Sequence, residues 1–203
     1  MTGFTSEHYD IIREATIRSA QALVPILYET FKPRSVIDIG CGEGWFLQEF
    51  NRLGVDSHGY DFEARTDPIE VHAWDLRQAP PSDTPRCDLA LCLEVGEHLH
   101  PEYAGLLVES LTSLSDEIVF SAAIPGQGGI GHLNEQWIDY WADHFARHGF
   151  HVHDDLRWEI WDDDRIEPCY RQNLVSVMRT PLPAPAPPRR VVHPAVWEHR
   201  RQR

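Results

Sequence analysis

Short apolar runs alternate with amphipathic stretches along most of the chain. Ser35 to Gly40 (SVIDIG) is a buried-strand run rich in branched side chains. Val55 to Asp61, Ile69 to Asp75, Cys87 to Val95, Glu117 to Ala123, Phe150 to Leu156 and Asn173 to Met178 read as further strands. Between them, Trp45 to Leu53 has helical periodicity. Tyr103, Leu106, Leu107, Leu111 and Leu114 share one helical face, as do Trp137, Tyr140, Trp141 and Phe145. Glu7 to Phe31 reads as helix in two pieces, with Ser6 as N-cap and Pro25 interrupting the ladder. Alternating strands and helices predict an α/β protein with a mostly parallel sheet covered on both faces, with ligands at the carboxyl ends of the strands.

A length of 203 residues, 42% of them hydrophobic, fits one globular domain. No apolar run approaches the ~20 residues that span a bilayer, and Met1 to Thr5 lacks a secretory start, so a cytoplasmic protein without membrane contact is expected. The formal charge is −14, and five arginines against one glutamate fall in Pro181 to Arg203. An acidic body argues against nucleic acid as the main partner. From Thr180 a proline-rich linker leads to this basic tail, which either docks on the domain, engages a second copy in a homodimer, or stays disordered. Four cysteines without a CxxC pair argue against a zinc ribbon or disulfide framework. The twelve histidines suggest no metal site: His98 and His100 are too close for a helical pair, and His144 with His148 has no third ligand nearby in sequence.

The stretch Val36 to Gly44 (VIDIGCGEG) carries the strongest chemical signal, an apolar strand running into three alternating glycines and then a helix. In a dinucleotide-binding GxGxxG the third glycine would fall at Trp45. The pattern instead resembles the first motif, E/DxGxGxG, of the class I S-adenosylmethionine-dependent methyltransferases, here Asp38, Gly40, Gly42 and Gly44. The resemblance implies a Rossmann-like fold with a seven-stranded, mostly parallel sheet over residues 33–180, an N-terminal helical lid over 1–32, and S-adenosylmethionine as cofactor. It also implies ribose binding by Asp61 with Phe62 beside it, and adenine binding by Asp75 and Leu76.

Cys87 to Leu99 (CDLALCLEVGEHL) resembles the fourth motif of that family, DLVxxxEVxEH, which places the Leu93 carbonyl and Glu94 at the methionine end of the cofactor. Ala123 to Trp137 (AIPGQGGIGHLNEQW) resembles a subgroup of small bacterial methyltransferases with a PGQGGxGHxNEQW stretch, often in secondary-metabolite settings. Here Gln127 and Asn134 are candidate substrate contacts, and Asn134 is equally a candidate N-cap. His98 and His132 are candidate catalytic bases, with the alternatives that His98 starts a solvent-facing helix and that His132 only orients a hydroxyl. Arg165, Tyr170 and Arg171 can grip an anionic acceptor, or the arginines can pair with the aspartates of 162–164. Tyr28 or Tyr9 can close over the cofactor, or pack in the core.

These readings predict O-methylation of a small metabolite, including an anionic carboxylate or phosphonate. Methylation of an amine or amino sugar, a non-catalytic cofactor-binding partner, and a nicotinamide oxidoreductase are the alternatives, and Trp45 counts against the last.

Overall fold

The computed structural model describes residues 6–67, 69–181 and 190–201, with side chains from 13 onward and up to 198. The Tyr9 side chain and most of the proline-rich segment lie outside the described residues. The chain opens with helix α1 (Ser6–Phe31) and then alternates: β1 (Ser35–Ile39), α2 (Trp45–Arg52), β2 (Asp56–Asp61), β3 (Val71–Ala73), β4 (Leu89–Leu93), α3 (Ala104–Leu114), β5 (Glu117–Ser121), α4 (Ile138–Ala146) and β6 (His151–His153). Two short helices, α5 (Asp155–Ile160) and α6 (Pro168–Asn173), precede β7 (Val175–Met178), and α7 (Pro194–Arg201) follows the linker. The seven strands form one sheet in the order β3-β2-β1-β4-β5-β7-β6. All neighbours pair in parallel except β7, which runs antiparallel to both β5 and β6.

Period-two alternation sorts the strand residues between two cores. On β4, Leu89 and Leu91 face the core shared with α1 and α2, while Ala90 and Cys92 face the one shared with α3 and α4. On β5, Val119 and Phe120 divide in the same way. The sequence order reverses beside β1, whose neighbours are β2 and β4. That is the switch point where an open α/β sheet leaves a crevice beyond its strand ends.

Pro25 does not divide the first helix: α1 is continuous, with Pro25 inside it. The exposed ring costs one backbone hydrogen bond, but Leu23, Val24 and Leu27 around it are fully buried against the sheet. Tertiary packing outweighs the local break. The tail docks on its own domain. The Gln172 side chain donates to the Val191 carbonyl at 2.9 Å and accepts from the His193 backbone, and His193 reaches the Trp161 carbonyl at 2.8 Å.

Candidate active site

A cavity of about 770 Å³ opens beyond the carboxyl ends of β1, β2 and β4. Its floor is the loop between β1 and α2. Gly40, Gly42 and Gly44 all have positive φ, at 76°, 58° and 81°. At Gly40 a side chain is also excluded by space, since a Cβ would lie 2.5 Å from the Val95 side chain. Gly40 and Gly42 line the cavity, whereas Gly44 forms the left-handed entry to α2. The Gly42 amide donates to Asp61 Oδ2 at 2.8 Å, and the Phe62 amide to Oδ1 at 2.7 Å. Each carboxylate oxygen retains a lone pair for a ligand. Asp38, 3% exposed, sits beneath the loop. Burial and the nearby Asp61 carboxylate push it up to about 7.

The adenosine side of the cavity has Phe62, Trp74 and Leu76 on its walls. Asp75 is not among the lining residues. Its carboxylate receives the Arg77 guanidinium at 2.8 and 2.6 Å together with the Arg77 amide, and that fork holds it below the usual carboxylate range. Helix α1 borders the opening through Arg13, Ala15 and Thr16, and Arg13 grips Glu43 of the glycine loop by two bonds of 3.0 and 2.6 Å. Tyr28 lies further along α1, half-buried against the core and away from the cavity.

At the opposite end, β4 delivers Leu93 and Glu94. Glu94 has a left-handed backbone (φ 55°), a strain of about 1–3 kcal/mol that recurs at functional sites. Its amide donates to both the carbonyl and the hydroxyl of Ser121, each at 3.0 Å. Its carboxylate accepts from Asn173 at 3.0 Å and Gln127 at 3.2 Å. Burial raises its pKa in spite of these bonds. Val95 then leads into a 3₁₀ turn, Gly96–His98. Glu97 in this turn is fully buried, not solvent-facing, and its carboxyl group lies against Glu94 and the backbone amides of Glu97 and Ala123. Desolvation and the Glu94 carboxylate raise its pKa well above the usual carboxylate range.

The loop after β5 completes this end. His132 Nδ1 lies 2.9 Å from Glu135 Oε1, and Glu135 also accepts the amides of Gly126 and Gly128 at 2.6 Å each. One carboxylate thus folds the loop and sets the imidazole orientation. Gly129 lies against the His132 ring, where a Cβ would come within 2.1 Å of Nε2. The His98 and His132 rings meet edge to face with centroids 4.9 Å apart. Burial lowers His98 to about 4 and keeps it neutral at pH 7. One ligand atom from each of Glu97, His98 and His132 lies within 4.8 Å of the others.

Of the expected acceptor contacts, Gln127 and Tyr170 line the cavity. Asn134 is buried behind it, its Oδ1 accepting from Gln136 at 3.1 Å, and it does not cap α4, whose cap residue is Trp137. Arg165 is turned to Asp163 by bonds of 2.9 and 2.6 Å at the surface, and Arg171 reaches the Trp161 carbonyl. Neither arginine lines the cavity. The guanidinium grip on an anionic acceptor is therefore corrected: local ion pairing holds Arg165, and the acceptor end is acidic. Sequence reading missed Asn173 and Glu135. The i, i+3 spacing of His132 and Glu135 was the available signal for the second of these.

A strand order of this kind with a three-glycine loop after β1 defines a class I methyltransferase fold. A family model described as a methyltransferase domain matches residues 9–162, and the chain belongs to that family, whose class uses S-adenosylmethionine. Among solved structures, the chain is similar to magnesium protoporphyrin IX methyltransferase from Synechocystis PCC 6803 with bound S-adenosylmethionine. That match has 18% identity and a TM-score of 0.61, over 89% of this chain and 87% of the other. It is also similar to the sugar N-methyltransferase KedS8 from Streptoalloteichus sp ATCC 53650, at 13% identity and TM-score 0.62, over 89% and 95% of the two chains. The amino pentose methyltransferase CalS10 from Micromonospora echinaspora matches at 12% identity and TM-score 0.60, over 89% and 100%. At such identities these likenesses speak for the fold. No curated protein sequence matches the chain. The described residues contain no helix long and apolar enough to cross a membrane.

Proposed function

We propose that the protein transfers a methyl group from S-adenosylmethionine to a hydroxyl oxygen of a small metabolite or natural-product intermediate. The observation that carries this reading is the placement of the Glu135-tethered His132 in the same cavity as the glycine loop and Asp61. The chain's residues fit the cofactor. Gly40 leaves a cradle that a Cβ would fill, Asp61 offers acceptors to ribose hydroxyls, and Phe62, Trp74 and Leu76 offer apolar surface to the adenine. The Leu93 carbonyl and the Glu94 carboxylate suit an ammonium group. When bound, the cofactor supplies an activated methyl group on a sulfonium, so positioning dominates the protein's work. His132, oriented by Glu135, faces the acceptor hydroxyl. His98, at about 4, is too weak a base to take its proton and accepts a hydrogen bond instead. Exposed Ile130 and Leu133 at the rim suit an acceptor with an apolar body.

The acidic groups Asp38, Glu94 and Glu97 around the cavity favour a second acceptor class, amines, and the names of two structural neighbours refer to amino-sugar and sugar N-methylation. Incubation with S-adenosylmethionine and a panel of phenols, sugars, amino sugars and carboxylic acids, read by mass spectrometry, separates these readings. O-methylated product is expected. Methylated amines alone would transfer the assignment to nitrogen, and cofactor binding without turnover on any acceptor would indicate a non-catalytic partner.

A further inference from the structure

The three groups at the acceptor end form a set of another kind. Glu97 is fully buried, and its carboxyl group lies against Glu94 and the backbone amides of Glu97 and Ala123. What faces it is the pair of imidazoles, His98 from the 3₁₀ turn after β4 and His132 from the loop after β5, with one ligand atom of each residue within 4.8 Å of the others. Bonds of about 2.1 Å from all three groups to one cation require that spacing to contract.

We infer that Glu97, His98 and His132 form a binding site for a first-row divalent transition ion such as zinc(II), cobalt(II) or manganese(II), with open positions toward the acceptor cavity. Two imidazoles and one carboxylate are a mixed nitrogen and oxygen set, which suits these ions better than magnesium or calcium. The surroundings match what such ligands need. His132 Nδ1 is held by Glu135 at 2.9 Å, the carboxylate–histidine pairing that fixes the tautomer and presents Nε2. His98 Nδ1 lies 3.4 Å from the Gly131 carbonyl. The same Glu135 binds the amides of Gly126 and Gly128, so the loop carrying His132 is folded around the residue that aims it. The ligand class for the open positions is a hydroxyl compound, ideally one with a second oxygen next to it. The inference rests on the methyltransferase reading for its acceptor but not for its metal, and it makes the histidines act on the hydroxyl through an ion rather than as a direct base.

The test uses the full chain without an affinity tag, freed of metal by a chelator and titrated with cobalt(II), with visible d–d absorption recorded. A parallel thermal-shift measurement with S-adenosylhomocysteine reports on folding and on the cofactor half. One equivalent of cobalt(II) with a distinct spectrum is expected. Glu97→Gln and His132→Ala are expected to abolish it while keeping the S-adenosylhomocysteine shift, and His100→Ala, at an exposed position, keeps both. Should Glu97→Gln fail to fold, Glu135→Gln leaves all three ligands in place and is expected to lower cobalt(II) affinity about 10–100-fold. A chain that responds to S-adenosylhomocysteine but shows no d–d bands with excess cobalt(II), or bands unchanged in Glu97→Gln and His132→Ala, overturns the metal site and leaves the methyltransferase reading standing. Bands lost in those variants without any S-adenosylhomocysteine shift support the site and count against that reading.

Discussion

Asp38 carries a cost that pH reveals. Its folded-state value of about 7 stands above its ordinary 3.8, so between these values the folded chain holds a proton that the unfolded chain has lost. Stability attributable to Asp38 is therefore present below about pH 4 and lost as pH rises toward 7, at about 1.4 kcal/mol for each pH step of one. Denaturant titrations of wild type and Asp38→Asn across that window are expected to converge at pH 4 and diverge toward pH 7, the wild type falling behind by up to about 4 kcal/mol. Parallel curves would show that Asp38 ionises as readily folded as unfolded. At the acceptor end, Glu135→Gln loosens the His132 orientation without removing the imidazole. It is expected to lower kcat by about 10²-fold with little change in the KM for the cofactor, as measured by S-adenosylhomocysteine formation. A variant at wild-type rate would remove His132 orientation from the mechanism. Asp38, the loop glycines and Asp61 were legible in the sequence because they lie in short contiguous runs at strand ends. The Glu97 environment was not. Its burial depends on the fold of the loop after β5, whose Leu133 and Asn134 amides both donate to the Glu97 carbonyl, at 2.7 and 3.0 Å.

Elements show where local rules hold and where packing overrides them. The alternation of strand and helix predicted the parallel sheet, and the antiparallel β7 is the feature that local pattern does not contain, since direction depends on the α5–α6 connection. In α1 the break expected at Pro25 is absent. Because Pro25 is exposed and removes a helix hydrogen bond, Pro25→Ala is expected to raise stability by about 1–3 kcal/mol in urea titration. A loss would mean that the ring stiffens the unfolded chain more than it disturbs the helix. Arg13 ties the same helix to the glycine loop through Glu43, and the guanidinium with the Trp45 indole holds that carboxylate below its usual range. Tyr28, expected either to close over the cofactor or to pack in the core, packs against the core, whereas Arg13, Ala15 and Thr16 are the α1 residues that border the cavity.

For the molecule as a whole, the tail closes over the side of the sheet where α5 and α6 connect to β7. Val196 and His193 are buried there, and the Trp161 and His193 rings pack at a tilt with centroids 4.6 Å apart. Truncation after Thr180 is expected to lower stability by about 2–4 kcal/mol, read by urea denaturation, from four lost hydrogen bonds, among them the exposed Arg190–Asp139 pair, and the exposed apolar surface. Unchanged stability would show that the tail rests on the domain without supporting it. The net charge of −14 suits an acidic cavity that receives a cationic cofactor. Cofactor binding is tested most directly by isothermal titration of the chain with S-adenosylmethionine, side by side with Asp61→Ala. One equivalent bound by the wild type, with affinity about 10²-fold lower in the variant as befits lost charge-assisted hydrogen bonds, is the predicted result. No binding to the folded wild type, or equal affinity in both proteins, would contradict it.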